Sequence, residues 1–161
     1  MEREEFGERI RECERLMYSV AYSVLRNETD ACDAVGEGIL RAYARLNDLR
    51  DVTLFKTWVL RIVHNTAVDM IRKRHDTVTL EEAAEIPTQD TGNVEEKLVL
   101  REAVNSLKLP YRTAVTLFYY EDLPTESIAR IMGIPSVTVR QYLHRARKQL
   151  KEILNKEEFH R

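Results

Sequence analysis

The stretch that decides the fold is LPTESIARIMGIPSVTVRQYLHRARKQLKEIL, residues 123–154. Its pattern predicts a helix, a tight turn and a second, longer helix. Gly133 is suited to end the first helix, because glycine adopts left-handed backbone angles at low cost. We expect Thr125 to cap the first helix and Ser136 to cap the second, which should begin near Val137. A helix, a turn that contains glycine and another helix in this order indicate a helix-turn-helix.

The second of these helices combines a buried stripe with a basic outer face. Apolar residues recur at steps of three and four from Val139 to Ile153, which predicts one face packed against a core. Five side chains between Ser136 and Lys151 are basic and none is acidic, although the whole chain has a formal net charge of −2. Because Arg and Gln pair with base edges and Lys holds phosphate, contact with a DNA major groove is favoured over an ordinary solvated helix end. The side chains expected to face DNA are Arg140, Gln141, His144, Arg145 and Lys148.

Composition indicates a predominantly helical protein. Only five of the 161 residues are glycine and four are proline, and long patterns with helical spacing dominate. Cys13 and Cys32 are too few and too widely spaced to predict a zinc site or a disulfide framework, so no metal or cofactor is expected. No signal peptide, membrane span or lipidation motif is recognisable, so we expect a soluble, cytoplasmic chain without membrane insertion.

Charge is distributed unevenly along the chain. Residues 55–75 carry five basic side chains and one acidic, residues 76–98 carry one and seven, and residues 99–161 carry eleven and seven. Two basic blocks separated by an acidic segment are typical of a protein that touches nucleic acid at two places. The segment from Thr77 to Thr91 also lacks helical periodicity. The predicted fold is therefore all-α, with two small helical domains joined by a flexible linker and a helix-turn-helix in the second.

Three amphipathic helices are predicted before this linker, at about 4–25, 29–46 and 55–74. We expect Thr29 to cap the second helix. Gly36 and Gly38 are unfavourable within it, since each costs about 1 kcal/mol relative to alanine. The outer face of this helix could bind a partner or could simply be solvated. Its polar residues are Asp30, Asp33, Glu37 and Arg41.

The third helix has a polar stripe opposite its apolar face, formed by Arg61, Asn65, Asp69 and Arg72. It ends in a compact basic cluster, RKRH at 72–75, which is suited to phosphate. A stripe that contains Asn and Arg could also hydrogen-bond a base extruded from a duplex. Asp69 would be a poor neighbour of phosphate and could instead pair with Lys73 or Arg72 in its own helix.

Two pairs of motifs resemble a known family. DACDAVGEGILRAYARL at 30–46 precedes FKTWVLRIVHNTAVDMIRKR at 55–74, and LPYRTAVTLFYYEDL at 109–123 precedes IARIMGIPSVTVRQYLHRARKQL at 128–150. Together they resemble regions 2 and 4 of sigma-70 family transcription initiation factors, in the short extracytoplasmic-function (ECF) subgroup that lacks the intervening domain. The resemblance implies a region 2 domain at 1–75, a linker at 76–92 and a region 4 domain at 93–161.

The resemblance also implies a role for each surface. The outer face of the second helix would bind the β′ clamp helices of core RNA polymerase. Asn65 and Asp69 would lie beside a flipped base of the −10 promoter element, in a pocket closed by the loop from Leu49 to Leu54. Arg61 and the cluster Arg72, Lys73 and Arg74 would hold the DNA backbone.

The C-terminal domain would bind the β flap of the polymerase, and its helix-turn-helix would read the −35 element. The implied partners are thus core RNA polymerase, promoter DNA and an anti-sigma factor. The implied function is promoter-specific initiation of transcription, with no enzymatic activity of the chain itself.

Two rival interpretations remain. A helix-turn-helix regulator that is not a polymerase subunit would explain residues 123–150, but not the pattern from Trp58 to Arg74. A metal-dependent phosphohydrolase would use His75 and Asp76 as a His-Asp pair, with His64 nearby. Such a site needs further ligands that converge on the metal, and the two remaining histidines lie in the other half of the chain.

Overall fold

Helices form every regular element of the structure, a computed structural model that describes residues 1–77 and 95–159; within these ranges no strand is present. In chain order the elements are α1 (Arg3–Leu25), α2 (Glu28–Ala44), 3-10 turns at Leu46–Asp48 and Val52–Leu54, α3 (Phe55–Thr77), α4 (Glu95–Asn105), α5 (Tyr111–Val115), a π-helical turn (Thr116–Tyr120), α6 (Thr125–Met132) and α7 (Ser136–Phe159). The predicted all-α fold of two helical units is confirmed. Most of the expected linker, residues 78–92, and the boundary expected at Asn93 lie outside the described residues.

The N-terminal unit consists of α1, α2 and α3, which pack around the apolar stripes that the spacing predicts. Met17, Val20, Ala31 and Val59 have no exposed surface. α1 ends at Arg26, which adopts a left-handed backbone with φ 54° and donates its N–H to a carbonyl of the last turn. This residue turns the chain sharply into α2.

The start of α2 differs from the expectation. Thr29 lies within the first turn of the helix instead of capping it. Asn27 precedes the helix with an extended backbone, and its side-chain oxygen accepts the N–H of Asp30 at 2.9 Å. Asn and Thr can both fill a capping position, and the turn at Arg26 decides between them because it places Asn27 at the helix entrance. The prediction of a Thr29 cap is wrong.

The two glycines of α2 have different surroundings. A Cβ atom added to Gly38 would lie 2.8 Å from the Cγ2 atom of Val63, closer than atoms normally approach. A Cβ atom added to Gly36 would meet nothing within 4 Å. Gly38 therefore lets α2 pack closely on α3, whereas Gly36 lies on the exposed side of the helix.

The C-terminal unit contains the predicted helix-turn-helix in α6 and α7. Ile128, Ile131, Val139 and Leu143 are buried between these helices and α5. Gly133 has the left-handed angle φ 70°, and the next N–H bonds back to a carbonyl of α6 at 3.0 Å. This is the glycine-dependent helix end that the sequence predicts.

The predictions of both helix caps in the helix-turn-helix are wrong. Thr125 is the first helical residue of α6, because Pro124 takes the extended conformation before it and offers the first helical carbonyl. In the same way the Pro135 carbonyl accepts the first helical N–H of α7 at 3.0 Å, so Ser136 already belongs to the helix. Proline fixes the backbone angle at both entrances and leaves the hydroxyl residue one position inside.

The two units pack directly against each other, and one cluster of buried apolar side chains continues through both. α1 contacts α5 and the π-helical turn, while α3 contacts α6. The helix-turn-helix is therefore held against the third helix of the N-terminal unit.

Candidate nucleic-acid interface

α7 presents the basic face that its spacing predicts. Val139 and Ala146 have no exposed surface, and Leu143 is almost fully buried. The residues expected to contact DNA are all exposed: Arg140, Gln141, His144, Arg145 and Lys148. These five side chains therefore lie on one helix and point away from the core. Their contact with bases stays a prediction.

Arg147 has a partner that the sequence pattern does not reveal. Its Nε atom donates to the hydroxyl of Tyr119, and its guanidinium lies 5.7 Å from the centre of the Tyr119 ring. Tyr119 belongs to the π-helical turn, and it is half exposed. This contact joins α7 to the turn before α6, and it keeps the Arg147 guanidinium against the C-terminal unit.

The polar stripe of α3 is partly engaged within the fold. Asn65 and Arg72 are exposed. Asp69 accepts a hydrogen bond from Nη1 of Arg41 on α2 at 3.1 Å. The contact with Arg41 on another helix was not expected from the sequence, and the expected pairing of Asp69 with Lys73 or Arg72 stays a prediction.

Ion pairs link two surfaces that the resemblance assigns to different ligands. Arg41 of the expected polymerase face contacts Asp69 of the expected DNA stripe, and it also pairs with Glu37 at 3.4 Å. Asp30 of the expected polymerase face pairs with Arg74 of the basic cluster. The outer side of α2 and the end of α3 therefore form one connected polar surface.

Two apolar residues on the outer side of α2 were missed by the sequence analysis. Leu40 is 67% exposed and Tyr43 is 50% exposed, which is high for large apolar side chains. Both are close in sequence to Glu37 and Arg41. The sequence could have indicated that Leu40 is exposed. Residues at i, i+3 and i+4 share a helix face, and Leu40 lies outside the apolar stripe that this spacing defines in its helix.

The loop between α2 and α3 borders a cavity, but this cavity does not include the expected base-reading residues. Leu49 is partly buried against the core, and Val52 and Leu54 are exposed. A cavity of about 320 Å³ lies between α1 and this loop, lined by Arg9, Glu12, Cys13, Leu16, Val52, Thr53, Phe55 and Lys56. Asn65 and Asp69 are not among its lining residues, so closure of a base pocket by this loop stays a prediction.

Arg61 contacts the other unit. Its Nη1 atom donates to the carbonyl of Arg130 at 3.1 Å, at the C-terminal end of α6. The same guanidinium lies beside Gly133, where an added Cβ would meet it at 3.4–3.6 Å. The arginine expected to hold −10 DNA is therefore engaged by the helix-turn-helix.

His64 is buried on α3 and has no described hydrogen-bond partner at Nδ1. Burial lowers its pKa below the usual 6.5, the positive charge of Arg61 lowers it further, and a hydrogen bond with Asn65 raises it. Among the residues with described side chains no group of His, Cys, Asp or Glu could hold a metal ion. The side chains of His75 and Asp76, the expected His-Asp pair, lie outside that set. Among the helices that the structure describes, none combines the length and the apolar character that a membrane span requires.

Comparison with known proteins identifies both halves of the chain. Residues 9–77 match the family model described as sigma-70 region 2, and residues 97–150 match sigma-70 region 4. The RNA polymerase sigma factor SigV of Bacillus subtilis is 32% identical over 142 residues, covering 88% of this chain and 86% of its own. The ECF RNA polymerase sigma factor SigW of the same organism is 31% identical and covers 86% and 82%.

A solved structure shows the same fold across both units. The sigma factor RpoE from Bartonella quintana, determined in complex with the anti-sigma factor NepR, has a TM-score of 0.74 and 25% identity, covering 94% of this chain and 97% of its own. The family consists of transcription initiation factors that are not enzymes. The chain therefore belongs to the sigma-70 family, in its ECF subgroup, and is a sigma factor that directs initiation by RNA polymerase.

Proposed function

We propose that the two units divide promoter recognition between them. The N-terminal unit, residues 1–75, binds core polymerase and the −10 element, and the C-terminal unit, residues 93–161, binds the β flap and the −35 element. The observation that carries this proposal is the exposed basic face of α7, which follows a helix-turn-helix whose glycine has the required left-handed backbone. Such a helix fits a DNA major groove.

Within the N-terminal unit, the outer side of α2 is the proposed site for the β′ clamp helices. Asp33 and Glu37 are exposed there, in the turns of α2 that precede the exposed side chains of Leu40 and Tyr43. A polar rim around exposed apolar side chains is typical of a protein–protein interface. We assign Leu40 and Tyr43 to this interface together with Asp30, Asp33, Glu37 and Arg41.

The −10 surface is proposed on α3. The exposed amide of Asn65 can hydrogen-bond a flipped base, and Arg72, Lys73 and Arg74 can hold phosphates. Asp69 positions Arg41 at the edge of this surface. The loop from Leu49 to Leu54 would close the base pocket beside Asn65.

The proposed cellular setting follows from this function. The chain acts in the cytoplasm, where core polymerase and promoter DNA are found, and it has no catalytic activity of its own. Since the related RpoE was solved with the anti-sigma factor NepR, we also propose an anti-sigma partner. Proteins that co-purify with the tagged chain should include one that competes with core polymerase for binding to the chain. If none of them competes, the proposal of an anti-sigma partner is contradicted.

The experiment is transcription from defined promoters by core polymerase with the added chain. Arg140→Ala and Arg145→Ala should each weaken use of a promoter that depends on its −35 element by about 1–3 kcal/mol, roughly 5- to 150-fold, with core binding unchanged. Lys156→Ala changes an exposed residue near the end of the same helix and serves as the control.

The double variant Asp33→Ala with Glu37→Ala should show the opposite pattern, with weaker core binding and unchanged −35 preference. Glu14→Ala on the exposed side of α1 is its control. A parent chain that neither binds core polymerase nor changes its start sites would contradict the proposed function. Equal loss of core binding in the α7 variants would mean that α7 is structural.

A further inference from the structure

Val137 is an exposed apolar side chain at the start of α7, the second helix of the helix-turn-helix. It is the second residue of this helix, and it is 52% exposed. Among the described side chains of α7, at 136–156, it is the one exposed residue of the large apolar types. The buried stripe of the helix, which includes Val139 and Leu143, does not contain it.

The helical repeat places Val137 on the side of α7 that faces away from the core. Ala146 has no exposed surface and follows Val137 by nine positions, about two and a half turns, so the two side chains point in opposite directions. His144 follows Val137 by seven positions, about two turns, and therefore shares its side. Gln141 is about one turn from Val137, and both polar residues are exposed. Val137 thus belongs to the surface that is proposed to read the −35 element.

The stability of the helix does not account for a valine at this position. A β-branched side chain loses rotamer freedom in a helix, which lowers its helix propensity. The exposed apolar surface of Val137 also gains no free energy from burial in the folded chain. This surface is therefore available to a ligand.

The major groove of DNA offers an apolar group that such a side chain can contact, the 5-methyl group of thymine. In a helix-turn-helix, the N-terminal residues of the second helix contact the base edges, and Val137 is one of these residues. Polar neighbours such as Gln141 recognise hydrogen-bond donors and acceptors, which thymine shares with uracil. An apolar side chain can instead recognise the methyl group itself.

We infer that Val137 is a specificity-determining residue whose side-chain methyl groups contact the 5-methyl group of one thymine in the −35 element. The inference rests on the proposed function, because it requires that α7 lies in the major groove of that element. It adds an apolar contact to the polar contacts proposed for this helix. The element must then contain a thymine whose methyl group contributes to promoter use.

Replacement of thymine by deoxyuridine tests this contact, because deoxyuridine lacks the methyl group and keeps the hydrogen-bonding groups. Each template carries one deoxyuridine in place of one thymine, on either strand of the −35 element of a promoter that the chain uses with core polymerase. At a limiting concentration of the chain, the parent should lose initiation by about fourfold at one position, as expected for one methyl group that is no longer buried. Val137→Ala should lose about as much on the unmodified promoter and nothing further from that deoxyuridine.

Two variants are controls for this experiment. Val137→Ile keeps a branched apolar side chain and should keep the sensitivity to deoxyuridine. Lys156→Ala changes an exposed residue near the other end of α7, and it should keep both the activity and the sensitivity of the parent. Because Val137 is exposed, its variants should match the parent in circular dichroism and in binding to core polymerase. Weaker core binding by Val137→Ala would mean a structural role and would overturn the inference.

The inference would also be overturned if no single deoxyuridine reduced initiation by the parent, or if the −35 element contained no thymine. An equal loss by the parent and Val137→Ala at the sensitive position would overturn it as well. If Arg140→Ala still weakened use of the promoter in these cases, the proposed function would stand without the inference. If the parent did not initiate, or if Arg140→Ala were as active as the parent, the proposed function would fail and the inference with it.

Discussion

At the residue scale, Arg112 shows how a buried charge can be accommodated without an acidic partner. Burial lowers the pKa of Arg112 to about 10, and the nearby charge of Arg26 lowers it in the same direction. The group therefore remains a cation at neutral pH. Its guanidinium donates to the carbonyls of Ser23, Val24 and Leu107, which replace the lost water and allow the charge to be buried.

We predict that Arg112→Met lowers the free energy of unfolding by about 2–4 kcal/mol, because it leaves buried carbonyl groups without donors. Arg147→Met is the matched control and should cost about 1 kcal/mol or less, since Arg147 is exposed and its described hydrogen bond is to the half-exposed Tyr119. Chemical denaturation monitored by circular dichroism measures both. Equal costs for the two variants would show that burial of Arg112 contributes nothing specific.

His64 predicts a dependence of stability on pH. Its folded pKa lies below 6.5 because burial disfavours the charged imidazolium. The unfolded chain therefore binds a proton first as the pH falls, so stability is fully present above about 6.5 and declines below it towards the folded pKa. His64→Gln should reduce this decline, whereas His144→Gln, at an exposed position, should keep it. Denaturation at several pH values measures this, and identical profiles for parent and His64→Gln would refute it.

At the scale of elements, the packing of α2 on α3 depends on one glycine and not on the other. Gly38→Ala should lower the free energy of unfolding by about 1–3 kcal/mol, since its Cβ would lie 2.8 Å from Val63. Gly36→Ala should raise it by about 0.5–1 kcal/mol, because the site is open and alanine restricts the unfolded chain. Each of the two variants adds one methyl group to the same helix, so they differ only in its position. A change of the same sign in both would contradict this account.

The ends of the helices were the least predictable part of each element. Periodicity places α1, α2, α3, α6 and α7 correctly, because steps of three and four are a local property of the chain. Thr29, Thr125 and Ser136 are each within a residue or two of the observed cap, yet none of them makes it. Capping depends on which residue leaves the helical conformation, and neighbouring Arg26, Pro124 and Pro135 decide that through the turn before each helix.

At the scale of the whole molecule, the proposed division of promoter recognition between two units predicts how initiation responds to promoter spacing. With core polymerase present, base pairs added between the −10 and −35 elements should reduce initiation, because both units must bind at a fixed separation. Transcription assays on one series of promoters with different spacers measure this. Initiation that stays the same across the series would contradict the proposed division.

The sequence by itself determined the helices, the buried stripes, the basic face of α7 and the family resemblance, because each depends on residues a few positions apart. Only the tertiary structure decided which polar groups meet. Arg41 and Asp69 are 28 positions apart, Arg61 and Arg130 are 69 apart, and Arg112 and Val24 are 88 apart. Such contacts leave no periodic signal, since they depend on how whole helices pack. The exposed basic helix was therefore evident from the sequence, and the contacts that join the two units were not.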